Sequence, residues 1–107
     1  MTGTAIALQD RETRNKILIT VVRRSIAEQA REMRRTAALT QKELSVALGL
    51  HKATISRIEN PSGPFPAIRT LTKIANYFDA GLIIKFVAWS RFLVEYNILT
   101  GALRVVQ

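Results

Sequence analysis

From Ser25 onward, apolar residues return at helical intervals. Ile26, Ala30, Met33 and Ala37 share one face, and the tetrad SIAE that opens the stretch has the form of a capping box. This pattern predicts a first core helix from Ser25 to about Thr36. Upstream, DRETRNKILITVV (10–22) fits either a helix begun at Asp10 or a strand built from its β-branched run, and the pattern leaves both open. Thr40 and Glu43 repeat the capping-box spacing, Leu44 and Leu48 supply the stripe of a second helix, and Gly49 can close it in a left-handed conformation. Past His51, Ile55 and Ile58 face inward on a third short helix, while Lys52, Ala53, Ser56 and Arg57 lie around its outer surface.

Proline and glycine then concentrate in NPSGPFP (60–66), which reads as a loop. Pro66 suits a helix beginning, and a fourth helix is expected through Ile68, Leu71, Ile74, Ala75 and Phe78 to Asp79. In GLIIKFVAW the period changes: Leu82, Ile84, Phe86 and Ala88 alternate with Ile83, Lys85 and Val87, the spacing of a strand. A lone strand leaves its backbone groups unpaired, so it must find an edge. The candidates are KILITVV, ALRVV, or the same strand of a second copy across a two-fold axis, and the last is the expected one. Ser90 is placed to cap a final helix, SRFLVEYN. The chain thus divides into an extension (1–20, helix or arm), a helical domain (21–79) and a strand with a short helix for dimerisation (80–107).

A chain of 107 residues with seven aromatics and 48% hydrophobic content builds one small, mainly helical core, with no room for a separate ligand domain. Charge adds a partner to this picture. Sixteen Lys and Arg against eight Asp and Glu give +8, which suits a polyanion: nucleic acid or an anionic membrane surface. The apolar run Leu82-Ile83-Ile84 is stopped by Lys85 and resumes only briefly, far short of the roughly 20 residues of a membrane span. The start, MTGTAIALQDRETR, lacks the form of a secretion signal, and a cytoplasmic protein is expected. The absence of cysteine excludes a thiolate site, and the one histidine, His51, has no second metal ligand at useful spacing. No carboxylate pair, phosphate-binding glycine loop or nucleophile-histidine pattern occurs, so the chain reads as a non-enzyme without cofactors.

Two short helices joined by a glycine-centred turn, the second cationic at its start, fit a helix-turn-helix whose second helix enters the major groove of DNA. The stretch LTQKELSVALGLHKATISRIEN (39–60) closely resembles that of lambda-repressor-like or Cro-type regulators, often called the XRE family. The resemblance is carried by Gln41, Leu44, Ser45, Leu48, Gly49, Leu50, Ile55, Ile58 and the SRIEN ending, and extends from about Ser25 to Phe92. Two positions depart from it: Ala38 stands at the usual glycine before the second helix, and His51 at the usual serine or threonine cap.

The resemblance implies a lambda-repressor-like fold of four to five short helices, with a C-terminal strand (Leu82, Ile83, Ile84, Lys85, Phe86, Val87) pairing across a dimer. It further implies base reading by Lys52, Ala53 and Arg57, to which Ser56 is added from its place on the outer face. Arg34 is implied to reach Glu59 as a buried ion pair, and Gln41 to contact a phosphate. The other phosphate candidates are Thr40, His51, Thr54, Asn60, Ser62, Arg69 and Thr70, several of them near helix N-termini where backbone N–H groups attract anions. The expected function is a sequence-specific regulator, most simply a repressor, binding an inverted repeat in double-stranded DNA as a homodimer. Two alternatives stand beside it. One is an antitoxin that represses its own operon and neutralises a toxin protein through the first 20 residues or the tail. The other is a protein-interaction module that uses the apolar strand.

Overall fold

The computed structural model describes residues 10–98, which form five helices: α1 (Arg11–Thr36), α2 (Gln41–Leu48), α3 (Lys52–Ile58), α4 (Ile68–Tyr77) and α5 (Trp89–Glu95). The first is not short. It runs 26 residues, about 39 Å at 1.5 Å per residue, and accounts for the elongated 52 × 24 × 21 Å outline. It passes through residues 20 and 21 without a break.

The choice left open at Asp10 falls to the helix. The Asp10 carboxylate accepts from the Thr13 backbone N–H at 3.2 Å and from the Thr13 hydroxyl at 2.7 Å. Those two bonds, the side-chain one first, hold the exposed Asp10 carboxyl below its ordinary range. Glu12 and Lys16 add an i,i+4 pair, and no glycine or proline interrupts the next 26 residues. The SIAE tetrad is therefore helix interior, not a helix start. Ser25 uses its hydroxyl to accept from Gln29 Nε2 at 2.8 Å. A local capping pattern is overridden when the preceding segment is already helical, because the amides it would cap are already bonded one turn back.

α1 ends without its usual residue. Ala37 closes the helix, and Ala38 turns left-handed at φ 58° while its N–H donates to the Arg35 carbonyl. A side chain in this region costs about 1–2 kcal/mol relative to glycine, of which the freer unfolded chain of glycine takes back about 0.4–1 kcal/mol. Ala38→Gly is therefore expected to raise stability by about 0.5–1 kcal/mol, read as a higher midpoint in urea unfolding. Asp79 and Asn97 also have positive φ, but their side chains tolerate it.

The core is built where α1, α3 and α4 meet: Ala30, Ile58 and Ile74 pack with Ile26, Met33, Leu48 and Phe78. Leu44 and Ile55 are the largest side chains sealed inside it. α5 joins α1 further toward the N-terminus, where the Arg14 guanidinium lies 5.2 Å from the centre of the Trp89 ring. Trp89 stacks on Phe92, Phe92 meets the tilted ring of Tyr96 at the end of α5, and Phe92 and Leu93 are buried. Its N-cap is Ala88, so Ser90 lies inside the helix and does not start it.

The strand expected over Leu82, Ile83, Ile84, Lys85, Phe86 and Val87 is absent. Among the described residues there is no strand, and 80–88 follow an irregular, exposed path. Alternation alone cannot make a strand, because its backbone groups need a neighbouring ladder. KILITVV is not that neighbour, since α1 already uses its backbone in helical bonds; ALRVV lies outside the described residues.

Candidate nucleic-acid interface

α2 and α3 are joined by a bend that local chemistry fixes. Thr40 and Glu43 form a reciprocal capping box: the Glu43 N–H donates to the Thr40 hydroxyl at 3.0 Å, and the Thr40 N–H to the Glu43 carboxylate at 2.8 Å. Gly49 closes α2 at φ 67°, ψ 33°, and Leu50 donates back to the Ser45 carbonyl at 2.9 Å. A Cβ at Gly49 would meet no atom within 4 Å, so glycine is needed there for its backbone angle and not for space.

α3 then starts from His51, whose side chain makes no capping bond. Ile55 and Ile58 point into the core, at 1% and 3% exposure, which turns Lys52, Ala53, Ser56 and Arg57 outward, all exposed. Among the phosphate candidates, Thr40, His51, Asn60, Ser62 and Arg69 are exposed, and Gln41, Thr54 and Thr70 are half-buried. Several are already engaged within the protein. The Thr40 hydroxyl serves the cap, the Asn60 side-chain oxygen accepts from the Ser62 N–H at 3.0 Å, and Gln41 Nε2 donates to Glu59 at 3.2 Å.

The far end of α3 is tied to α1 by charge. Glu59 is 2% exposed, and Arg34 meets it with two bonds, Nε to Oε2 at 2.7 Å and Nη2 to Oε1 at 2.8 Å. Arg34 also donates to the Leu39 carbonyl at 2.7 Å, and Arg31 donates to the Glu59 carbonyl at 3.1 Å. Burial pushes the Glu59 carboxyl up, but the Arg34 and Gln41 bonds and the charges of Arg34 and Arg31 together hold it below the usual carboxylate range. The bond to Glu59 raises Arg34 further above its already high value.

One residue of this arrangement was not foreseen. Arg23 is 2% exposed and donates to four backbone carbonyls: Nη2 to Arg57 at 2.6 Å, Nη1 to Ile58 at 3.0 Å, and Nε to Gly63 and Pro64, each at 3.0 Å. Burial lowers its pKa, yet guanidinium stays protonated. The available signal was that Arg23 and Arg34 lie 11 residues apart, three helical turns on one face. It becomes visible only once α1 is known to begin before Ser25.

Beside α3 a cleft of about 130 Å³ is lined by Thr54, Arg57, Ile58, Pro64, Phe65 and Thr70, among others. It is smaller than the roughly 300–1,000 Å³ of sites that enclose small molecules. The outward cationic face of α3 is therefore the feature with chemistry to offer.

A capped helix, a left-handed glycine turn and a second helix anchored by two isoleucines, with its polar side facing out, define a helix-turn-helix protein. The family described as the helix-turn-helix domain matches residues 25–82, more than half of the 107, and the chain belongs to it. No curated protein and no solved structure matches the chain. The match supports a DNA-binding regulator. No helix among the described residues is long and apolar enough to cross a membrane.

Proposed function

We propose that the protein is a sequence-specific DNA-binding regulator of the lambda-repressor or Cro type, most simply a repressor, with α3 as the helix that enters the major groove. The observation that carries this reading is the composition and aim of one face: Lys52, Ala53, Ser56 and Arg57 are all exposed on the side of α3 opposite its buried isoleucines. Lysine and arginine donate to guanine O6 and N7, and alanine can touch a thymine methyl. The net charge of +8 favours approach to the phosphate backbone.

A helix of seven residues reads few base pairs by itself, which favours a homodimer on an inverted repeat. The segment that would join the copies is the apolar run at 82–87. Ile83 is 83% exposed, Ile84 64% and Phe86 103%, and this run has no partner in its own chain among the described residues. Pairing with its two-fold mate would supply the missing ladder and complete the strand.

Substitutions should separate reading from holding. Arg57→Ala is expected to flatten the preference among single-base operator variants by about 1–3 kcal/mol at the position it reads. Arg69→Ala should weaken all duplexes alike and reduce the log–log salt slope by about 0.9. Fluorescence anisotropy titrations at several salt concentrations read both effects. Unchanged relative preferences in Arg57→Ala would remove Arg57 from the base-reading set.

A further inference from the structure

The C-terminal end of α3 is held by a cation that, among the described residues, meets backbone carbonyls and no acid. Arg23 gives its fork of N–H groups to the carbonyls of Arg57 and Ile58, at the end of α3, and of Gly63 and Pro64, in the loop beyond. The last carbonyls of a helix lack intrahelical donors and carry the negative end of its dipole, so a planar cation with five donors fits them. Burying a charge among carbonyls alone is costly, and for stability alone an apolar side chain of similar volume would often serve as well. What an apolar side chain cannot do is fix the directions of four carbonyls at once.

We propose that Arg23 is a positioning residue for base recognition, setting the orientation of the last turn of α3, and with it the Arg57 side chain, without touching DNA. This rests on the reading of α3 as the DNA-recognition helix. Three further observations support it. Arg57, assigned to read a base, is the same residue whose carbonyl Arg23 grips at 2.6 Å. The opposite end of α3 has no side-chain cap at His51, whereas the C-terminal end is held by Arg23 and, through Glu59, by Arg34 and Arg31. The grip also leaves no space around it: a Cβ at Gly63 would stand 2.7 Å from the Arg57 carbonyl oxygen and 3.1 Å from Arg23 Nη2.

The test uses the full chain, with binding sites first selected by the wild type from random duplex. Arg23→Met, Arg23→Lys and Gly63→Ala are then titrated against the selected site, its single-base variants and an unrelated duplex. All titrations are made at a temperature where circular dichroism shows each variant folded. The expected result is a loss of about tenfold in discrimination, at the same base positions that Arg57→Ala flattens, with binding to the unrelated duplex and its salt slope retained. Arg23→Lys should not restore discrimination, because one ammonium cannot direct four carbonyls. If Arg23→Met does not fold, Arg23→Lys and Gly63→Ala carry the same comparison. Wild-type preferences retained in the folded variants, with affinities unchanged or lowered in parallel across all duplexes, would overturn the proposal alone. A wild type that prefers no duplex would overturn the DNA reading itself, and this proposal with it.

Discussion

Replacing Arg34 with methionine should lower the stability of the fold by about 3–5 kcal/mol, because it leaves the Glu59 carboxylate buried without its main partner. Glu59 is 2% exposed, and its remaining contacts would be one bond from Gln41 and the looser approach of Arg31 at 3.9 Å. Against the roughly 5–15 kcal/mol of a typical domain this is a large fraction, and loss of DNA binding in such a variant would not identify Arg34 as a DNA contact. The pH dependence gives the prediction a second edge. In the wild type the Glu59 carboxyl is held below its ordinary value, so the pair's contribution is full above the carboxylate range of the unfolded chain. It is lost as pH falls from there through the folded value, because the unfolded chain takes up the proton first. In Arg34→Met burial is left as the dominant influence and favours the protonated acid, so the deficit relative to wild type should shrink on acidification. Urea unfolding across a pH series measures both. A deficit under 1 kcal/mol, or one that grows in acid, would show that the pair is not buried as described.

The second large effect is expected at Ile55. Its side chain is 1% exposed, and truncation to alanine should cost about 2–5 kcal/mol, while valine should cost about 0.5–1.5 kcal/mol. Its neighbour Ser56 is exposed, and Ser56→Ala should stay within about 0.5 kcal/mol of wild type. Adjacent residues on one short helix would then divide the work, one acting on unfolding in the absence of DNA and the other only on recognition. Equal small effects at both positions in thermal or urea unfolding would mean that α3 is not seated by its isoleucines.

Signals confined to one turn of chain were readable in the sequence. The Thr40 and Glu43 pattern is a reciprocal cap, Gly49 has the left-handed angle its place suggested, and Ile55 and Ile58 point inward. The same kind of signal misled at Ser25, since the helix had begun a full 14 residues earlier at Arg11 and no local pattern reports what precedes it. The alternation at 82–88 describes how a strand's sides would differ, but a strand also needs a neighbour, which sequence period does not specify. Arg34 and Glu59 came through family resemblance, not through spacing. Arg23 was beyond reach for a different reason: all four of its acceptors are backbone carbonyls, which every residue has and which no side-chain pattern marks.

The central claim, that the exposed face of α3 reads base edges, is tested most directly by selecting bound sites from random duplex with the purified full chain. The account predicts enrichment of an inverted repeat with half-sites about 34–36 Å apart along the duplex, and loss of preference within each half-site in Arg57→Ala. Failure to enrich any sequence at low salt, from protein shown to be folded, would contradict it.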